Sequence, residues 1–137
     1  MGIEITFVSN LEQVMGKINE TARQRMFQAV NTVRNEVLET LSGSRSGRTY
    51  KVPGTQKTYT ASAPGEPPAV QTGELRQSIS TEVEGQGRDI VGRVGTDKIQ
   101  GKMTEFGTRN MAPRPWLRKS FENKENEVKE IFIRQWF

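Results

Sequence analysis

The chain contains no cysteine and no histidine among its 137 residues. Without cysteine there is no disulfide and no thiolate chemistry. Without histidine the commonest general base and the commonest metal ligand are both missing. The two absences weigh against an enzyme, and no cofactor is expected. Apolar side chains are also scarce: hydrophobic residues make up 33% of the chain and charged residues 26%. That polar balance predicts that part of the stability comes from neighbouring subunits. No run approaches the roughly 18 apolar residues of a membrane span. The opening Met-Gly-Ile-Glu-Ile-Thr has neither the basic nor the apolar region of an export signal, so the expectation is a protein made in the cytoplasm, with no membrane partner.

The length predicts one domain over residues 1–137 with a modest core, since a domain near 150 residues buries about 68–70% of the surface its unfolded chain exposes. The net charge of +4 is uneven. Residues 43–119 hold thirteen Lys or Arg against seven Asp or Glu, a net +6, which leaves −2 for the remainder. Such a field suits nucleic acid or an acidic partner. It equally suits a solvated basic surface, because the charges are scattered rather than set at helical spacing beside aromatic platforms.

Along the chain, Ile3, Ile5 and Phe7 alternate with Glu4 and Thr6, the period of a half-buried strand. Ser9 and Asn10 offer an N-cap. From Leu11 the apolar positions Val14, Met15, Ile18, Ala22, Met26, Ala29, Val30, Val33, Val37, Leu38 and Leu41 step by three and four, which predicts one long helix. Unbroken, it has about 31 residues and spans roughly 46 Å. Such a helix either projects toward another subunit or is a core helix kinked near Gly16. Ser42-Gly43 is expected to close it, Gly43 taking the left-handed conformation common after helix ends.

Residues 43–71 are rich in Gly, Ser, Thr and Pro and nearly free of aliphatics. Loops longer than about 12–15 residues are uncommon in compact domains unless they bind something or await a partner, so this stretch reads as a flexible assembly arm. Pro53-Gly54 and Pro64-Gly65 mark turns, and Glu66-Pro67-Pro68 is expected to be extended. Tyr50 and Tyr59 among alternating Thr and Ser suggest a ribbon with strand propensity.

Thr72 is a candidate N-cap for a short helix over residues 73–79. Ile79, Thr81 and Val83, a glycine-containing turn, and then Ile90, Gly92 and Val94 predict a β-hairpin. A short helix is expected around Lys102 to Phe106, ending at Gly107 and Thr108 as a C-cap and turn. Pro115 suits the first turn of a final helix, with Leu117, Phe121, Val128, Ile131 and Phe132 on one stripe. Trp116 and Leu117 are expected in the core, and the three aromatics of the last six residues, Phe132, Trp136 and Phe137, docked on the core or a neighbour. Arg114, between Pro113 and Pro115, is expected to hold a carboxylate bidentately, with Glu105 as candidate partner.

Motifs for chemistry fail on inspection. Gly95 to Met103 has one residue too many between its glycines for a phosphate loop, and Met where a magnesium-binding hydroxyl is needed. Gly85-Gln-Gly87 lacks the third glycine and following helix of a dinucleotide site. Asp89, Asp97 and Glu105 are at spacings that usually mean solvated carboxylates rather than a metal site.

Five blocks in order carry a resemblance: Ala61-Ser-Ala-Pro-Gly-Glu-Pro-Pro-Ala69, Thr72-Gly-Glu-Leu-Arg-Gln-Ser-Ile79, Val94-Gly-Thr96, Glu105-Phe-Gly-Thr108 and Arg114-Pro-Trp-Leu117. Over roughly residues 47–121 the chain resembles the neck and tail-completion proteins of long-tailed bacteriophages, the family typified by a lambdoid phage's tenth gene product. It departs from that pattern at Gln71, often Asp, and at Gln100-Gly101, often an aromatic-Ala pair. The resemblance implies an α+β fold with a long N-terminal helix, a small antiparallel sheet with a β-hairpin and long central loop, and a C-terminal helix. It also implies a homo-oligomeric ring, of six subunits, at the virion's head–tail interface, assembled in the bacterial host cytoplasm beside neck, tail-terminator or tail-tube proteins.

The residues expected to meet neighbours are Arg48, Tyr50, Tyr59, Ser62, Pro64, Gly65, Glu66, Pro67 and Pro68 in the loop. With them go Thr72, Gly73, Leu75 and Arg76 after it, and Glu105, Phe106, Gly107, Thr108, Arg114 and Pro115. The alternative is a DNA-binding module using Arg45, Arg48, Lys51 and Lys57, which predicts steeply salt-dependent binding. In a connector, passing DNA calls only for weak contact.

Overall fold

Alternation of Ile3 and Ile5 with Glu4 and Thr6 produces the first strand, β1 (Gly2–Val8). The computed structural model describes residues 1–8, 15–43, 45–63, 65–69, 73–85 and 89–134. In it β1 runs antiparallel to β5 (Asp89–Gly95), which also pairs with β4 (Ser80–Glu84), giving a sheet of order β1-β5-β4. The β4–β5 pair is the expected hairpin. Register places Ile5 and Val83 on either side of Gly92, and Ile3 and Thr81 on either side of Val94. One face of the sheet is therefore apolar, and it lies on α1 (Met15–Thr40).

The long helix is a core helix, packed on the chain's own sheet. Ile18, Ala22, Met26, Ala29, Val30, Val33 and Val37 form its buried stripe, with Leu41 just past its end. Burying each such side chain other than alanine contributes about 1.5–3 kcal/mol. The sheet comes close because Gly92 has no side chain: a Cβ there would stand 2.5 Å from both Met26 Sδ and Val30 Cγ1. At 26 residues the described helix spans about 39 Å. Its expected start at Leu11 and N-cap at Ser9 or Asn10 fall outside the described residues.

The helix ends differently from expectation. Gly43 is not left-handed. Instead, side chains satisfy the last carbonyls, which have no partner within a helix: Ser42 Oγ donates to Leu38 O at 2.6 Å and Arg45 Nη2 to Thr40 O at 2.6 Å.

The central segment carries a two-stranded ribbon, β2 (Thr49–Lys51) and β3 (Thr58–Thr60), with Tyr50 opposite Tyr59 and ring centroids 6.0 Å apart. Next comes α2 (Glu74–Gln77), with left-handed Gly73 at its N-cap; Thr72 lies outside the described residues. The third helix, α3 (Ile99–Phe106), begins three residues before the expected start, and α4 (Leu117–Ile133) follows.

Trp116 is the N-cap of α4, so Pro115 precedes the helix rather than lying in its first turn. The α4 stripe packs along α1 through Leu117, Val128 and Ile131, joined by Phe121 and Phe132. Arg25 Nη1 of α1 donates to the carbonyls of Ile131 at 2.8 Å and Arg134 at 2.7 Å, closing the far end of α4. The docking expected of Trp136 and Phe137 lies outside the described residues. The fold class is α+β, as the sequence predicts. Among the described residues no helix is long and apolar enough to cross a membrane.

Candidate assembly surface

The eight residues of α3 present two faces. Gly101 and Glu105, four apart, are buried. A Cβ on Gly101 would lie 2.5 Å from Thr96 Cγ2 and 3.2 Å from the Trp116 ring, so the helix backbone rests directly on the core. Trp116 Nε1 donates to Gly101 O at 3.1 Å and to Thr104 Oγ1 at 3.0 Å, and Arg114 N to Thr104 O at 2.6 Å. On the outward face, Ile99, Met103 and Phe106 follow at intervals of four and three, which aligns them on one stripe. They are 76%, 44% and 66% exposed. A helix fixed on one side thus holds a row of large apolar groups in water on the other.

Gly107, after Phe106, has φ of 77°, a conformation open to glycine at little cost. It turns the chain into the Thr108–Met111 bridge, realising the expected C-cap and turn. The turn brings Trp116 back beneath α3.

The ribbon is fastened at its base. Glu66 Oε1 accepts the N–H groups of Ala63 at 2.7 Å and Ser46 at 3.0 Å, while Oε2 accepts from Ser46 Oγ at 3.0 Å. These bonds, Ala63 N–H first, hold the Glu66 carboxyl below its ordinary value, and Arg45 acts in the same direction. Arg45 Nε donates to Pro67 O at 2.7 Å, and Lys119 Nζ reaches Gly65 O at 3.2 Å. Beyond that base, β2 and β3 have at most marginal contact with any other element. The ribbon projects, with Arg48, Tyr50, Lys51 and Lys57 exposed.

Other residues expected at interfaces are dispersed. Tyr59, Ser62, Glu66 and Pro67 are half-buried, Pro68 is buried and Gly65 is exposed. Leu75 packs on the core, and exposed Arg76 donates to Ser42 Oγ at 2.8 Å. Phe106 and Thr108 are exposed; Gly73, Gly107, Arg114 and Pro115 are half-buried. Pro64 and Thr72 lie outside the described residues.

The expected Glu105–Arg114 ion pair does not form. Glu105 Oε2 accepts the N–H groups of Trp116 and Leu117, both at 2.8 Å, and Oε1 that of Arg118 at 3.1 Å. Its carboxylate therefore caps α4, where the first N–H groups lack partners within the helix and the dipole favours negative charge. Arg114 Nη1 is buried without an acceptor among the described residues. Of the cations expected to bind DNA, Arg45 is committed to backbone carbonyls. The exposed Ile99 and Met103 escaped sequence reasoning, because α3 was expected to start at Lys102. The spacing of Ile99, Met103 and Phe106 was the available signal.

Among the described residues no group of three or more acidic side chains is placed to hold a metal ion. Compared with family models, curated proteins and solved structures, the chain matches none.

Proposed function

We propose that the chain is a structural subunit of the bacteriophage head–tail interface, a tail-completion or connector protein that assembles as a homo-oligomeric ring and lets DNA pass. The observation that carries this reading is the α3 stripe. Exposed apolar residues scattered singly need no explanation, but aligned ones mark contact surfaces. Here Ile99, Met103 and Phe106 are held in water by a helix whose other side is locked to Trp116. A ring subunit meets its neighbours through two different surfaces, and a rigid apolar stripe together with a separate projecting ribbon supplies such surfaces without a catalytic group. The motif resemblance supplies the location, which the stripe alone does not.

The test is cryo-electron microscopy of virions that carry the chain. The expected result is a closed ring of identical subunits between head and tail, with α3 in the contact between neighbours. Virions in which the chain is one isolated copy, or lies away from the head–tail junction, contradict the proposal.

A DNA-binding module is the second reading, favoured by the exposed Arg48, Lys51 and Lys57 of the ribbon. It predicts that log affinity for duplex DNA falls steeply with log salt concentration. Weak or salt-insensitive binding counts against it.

A further inference from the structure

We propose that the β2–β3 ribbon of one subunit docks on the outer face of the β1-β5-β4 sheet of the next copy. This rests on the ring reading above and adds which two surfaces meet. The ribbon and its flanks, residues 46–63, contain Arg48, Lys51 and Lys57 and no acidic residue, a charge of +3. Among the described strand residues, register assigns Glu4, Glu82, Glu84 and Asp89 to the sheet face turned away from α1, with Arg93 as the one cation, a charge of −3.

Arg93 lies among three of those carboxylates. It pairs with Glu84, with Glu4 at 2.9 Å and with Glu82 at 3.9 Å, and the bonds to Glu84 and Glu4 raise its proton affinity. One guanidinium cannot neutralise four carboxylates, so the face stays negative.

At one end of this sheet a hollow of about 370 Å³ is lined by Met1, Glu82, Arg93 and Asp97, among others, so its two carboxylates face the Arg93 guanidinium and the amino terminus. It offers the ribbon a recess beside the acidic face. The ribbon is narrow and projects from the subunit. Its cations cannot be meant for its own sheet, because β2 and β3 have at most marginal contact with the strands of that sheet. A basic projection and an acidic sheet face with little contact between them in one chain form a heterologous pair, the kind that closes into a ring when the rotation suits. Exposed ion pairs contribute only about 0–1 kcal/mol each. Charge matching therefore selects partner and register here, while apolar contact supplies most of the affinity.

The test uses two full-length variants: one carries Lys51→Glu and Lys57→Glu, the other Glu82→Lys and Glu84→Lys. Each alone opposes like charges across the contact and should self-associate at least about ten-fold more weakly than wild type by sedimentation. Mixed in equal amounts, the acidic ribbon of the first meets the basic face of the second, and the reverse, so association should return. Should the Glu84 change disturb the sheet, Glu82→Lys alone leaves the two closer Arg93 pairs in place; it lowers the face charge from −3 to −1 and should weaken self-association in the same direction but by less than the double change.

A wild type that oligomerises with neither variant weakened overturns the ribbon–sheet contact and leaves the ring standing. A wild type that stays monomeric at every concentration removes the ring reading and this contact with it. Assembly that requires added duplex DNA, and is lost with Lys51→Glu and Lys57→Glu, gives the ribbon to DNA and overturns the contact.

Discussion

The carboxylate of Glu105 accepts the backbone N–H of Trp116 at 2.8 Å, and this bond ties the end of α3 to the start of α4. The same side chain takes the next two N–H groups, while Trp116 returns a bond to Gly101 O. Two of the blocks behind the family resemblance, Glu105 to Thr108 and Arg114 to Leu117, are thereby one capping device. It fixes the angle at which the apolar stripe faces outward.

Glu105→Ala leaves three N–H groups without their acceptor and should lower stability by about 2 kcal/mol. Arg114→Met, which removes a buried donor that lacks an acceptor, should change it by less than about 1 kcal/mol. Urea unfolding followed by circular dichroism measures both. Equal losses would point to the ion pair that the geometry lacks.

Glu66 gives the ribbon base a pH dependence. Its folded-state value is depressed, first by the Ala63 N–H. The stabilisation is therefore fully present above the unfolded value, about 4.3, and is lost as pH falls through the lower folded value. The amide resonance of Ala63 should titrate with a midpoint below that ordinary value, and Glu66→Gln should abolish the titration. A midpoint at or above about 4.3 contradicts the clamp.

Gly92→Ala should destabilise by about 1–3 kcal/mol through overpacking, since the added carbon meets Met26 and Val30 at 2.5 Å. Trimming Met26 to Ala in the same chain should make the double variant less unstable than the two separate losses would sum to, because the sites share one space. Additive losses would mean that helix and sheet do not touch there.

Much of the fold was legible because its signals are local. The step of three and four from Ile18 to Leu41 needs no partner to identify the buried face of α1, and Ile90, Gly92 and Val94 reveal β5 by alternation. The helix ends were less legible. Arg45 reaches Thr40 O from beyond the helix, and Glu105 caps a helix that starts twelve residues later. Spacing rules for caps look only at adjacent residues, so a side chain arriving from elsewhere escapes them. The same blindness produced the Glu105–Arg114 expectation: opposite charges near a stiff turn suggested a pair, but backbone N–H groups at the mouth of α4 compete for the carboxylate and hold it. The ribbon was only half legible, since Tyr50 and Tyr59 hinted at strands while nothing in the sequence indicated the Glu66 clamp.

The central claim is that copies of this chain associate through the outward face of α3. Sedimentation equilibrium over a wide concentration range, on the wild type and on a variant with Ile99→Ser, Met103→Ser and Phe106→Ser, tests it most directly. The account predicts a wild type that rises above the monomer mass, and a variant with unchanged circular dichroism that remains at it. A variant that matches the wild type at every concentration would contradict the account.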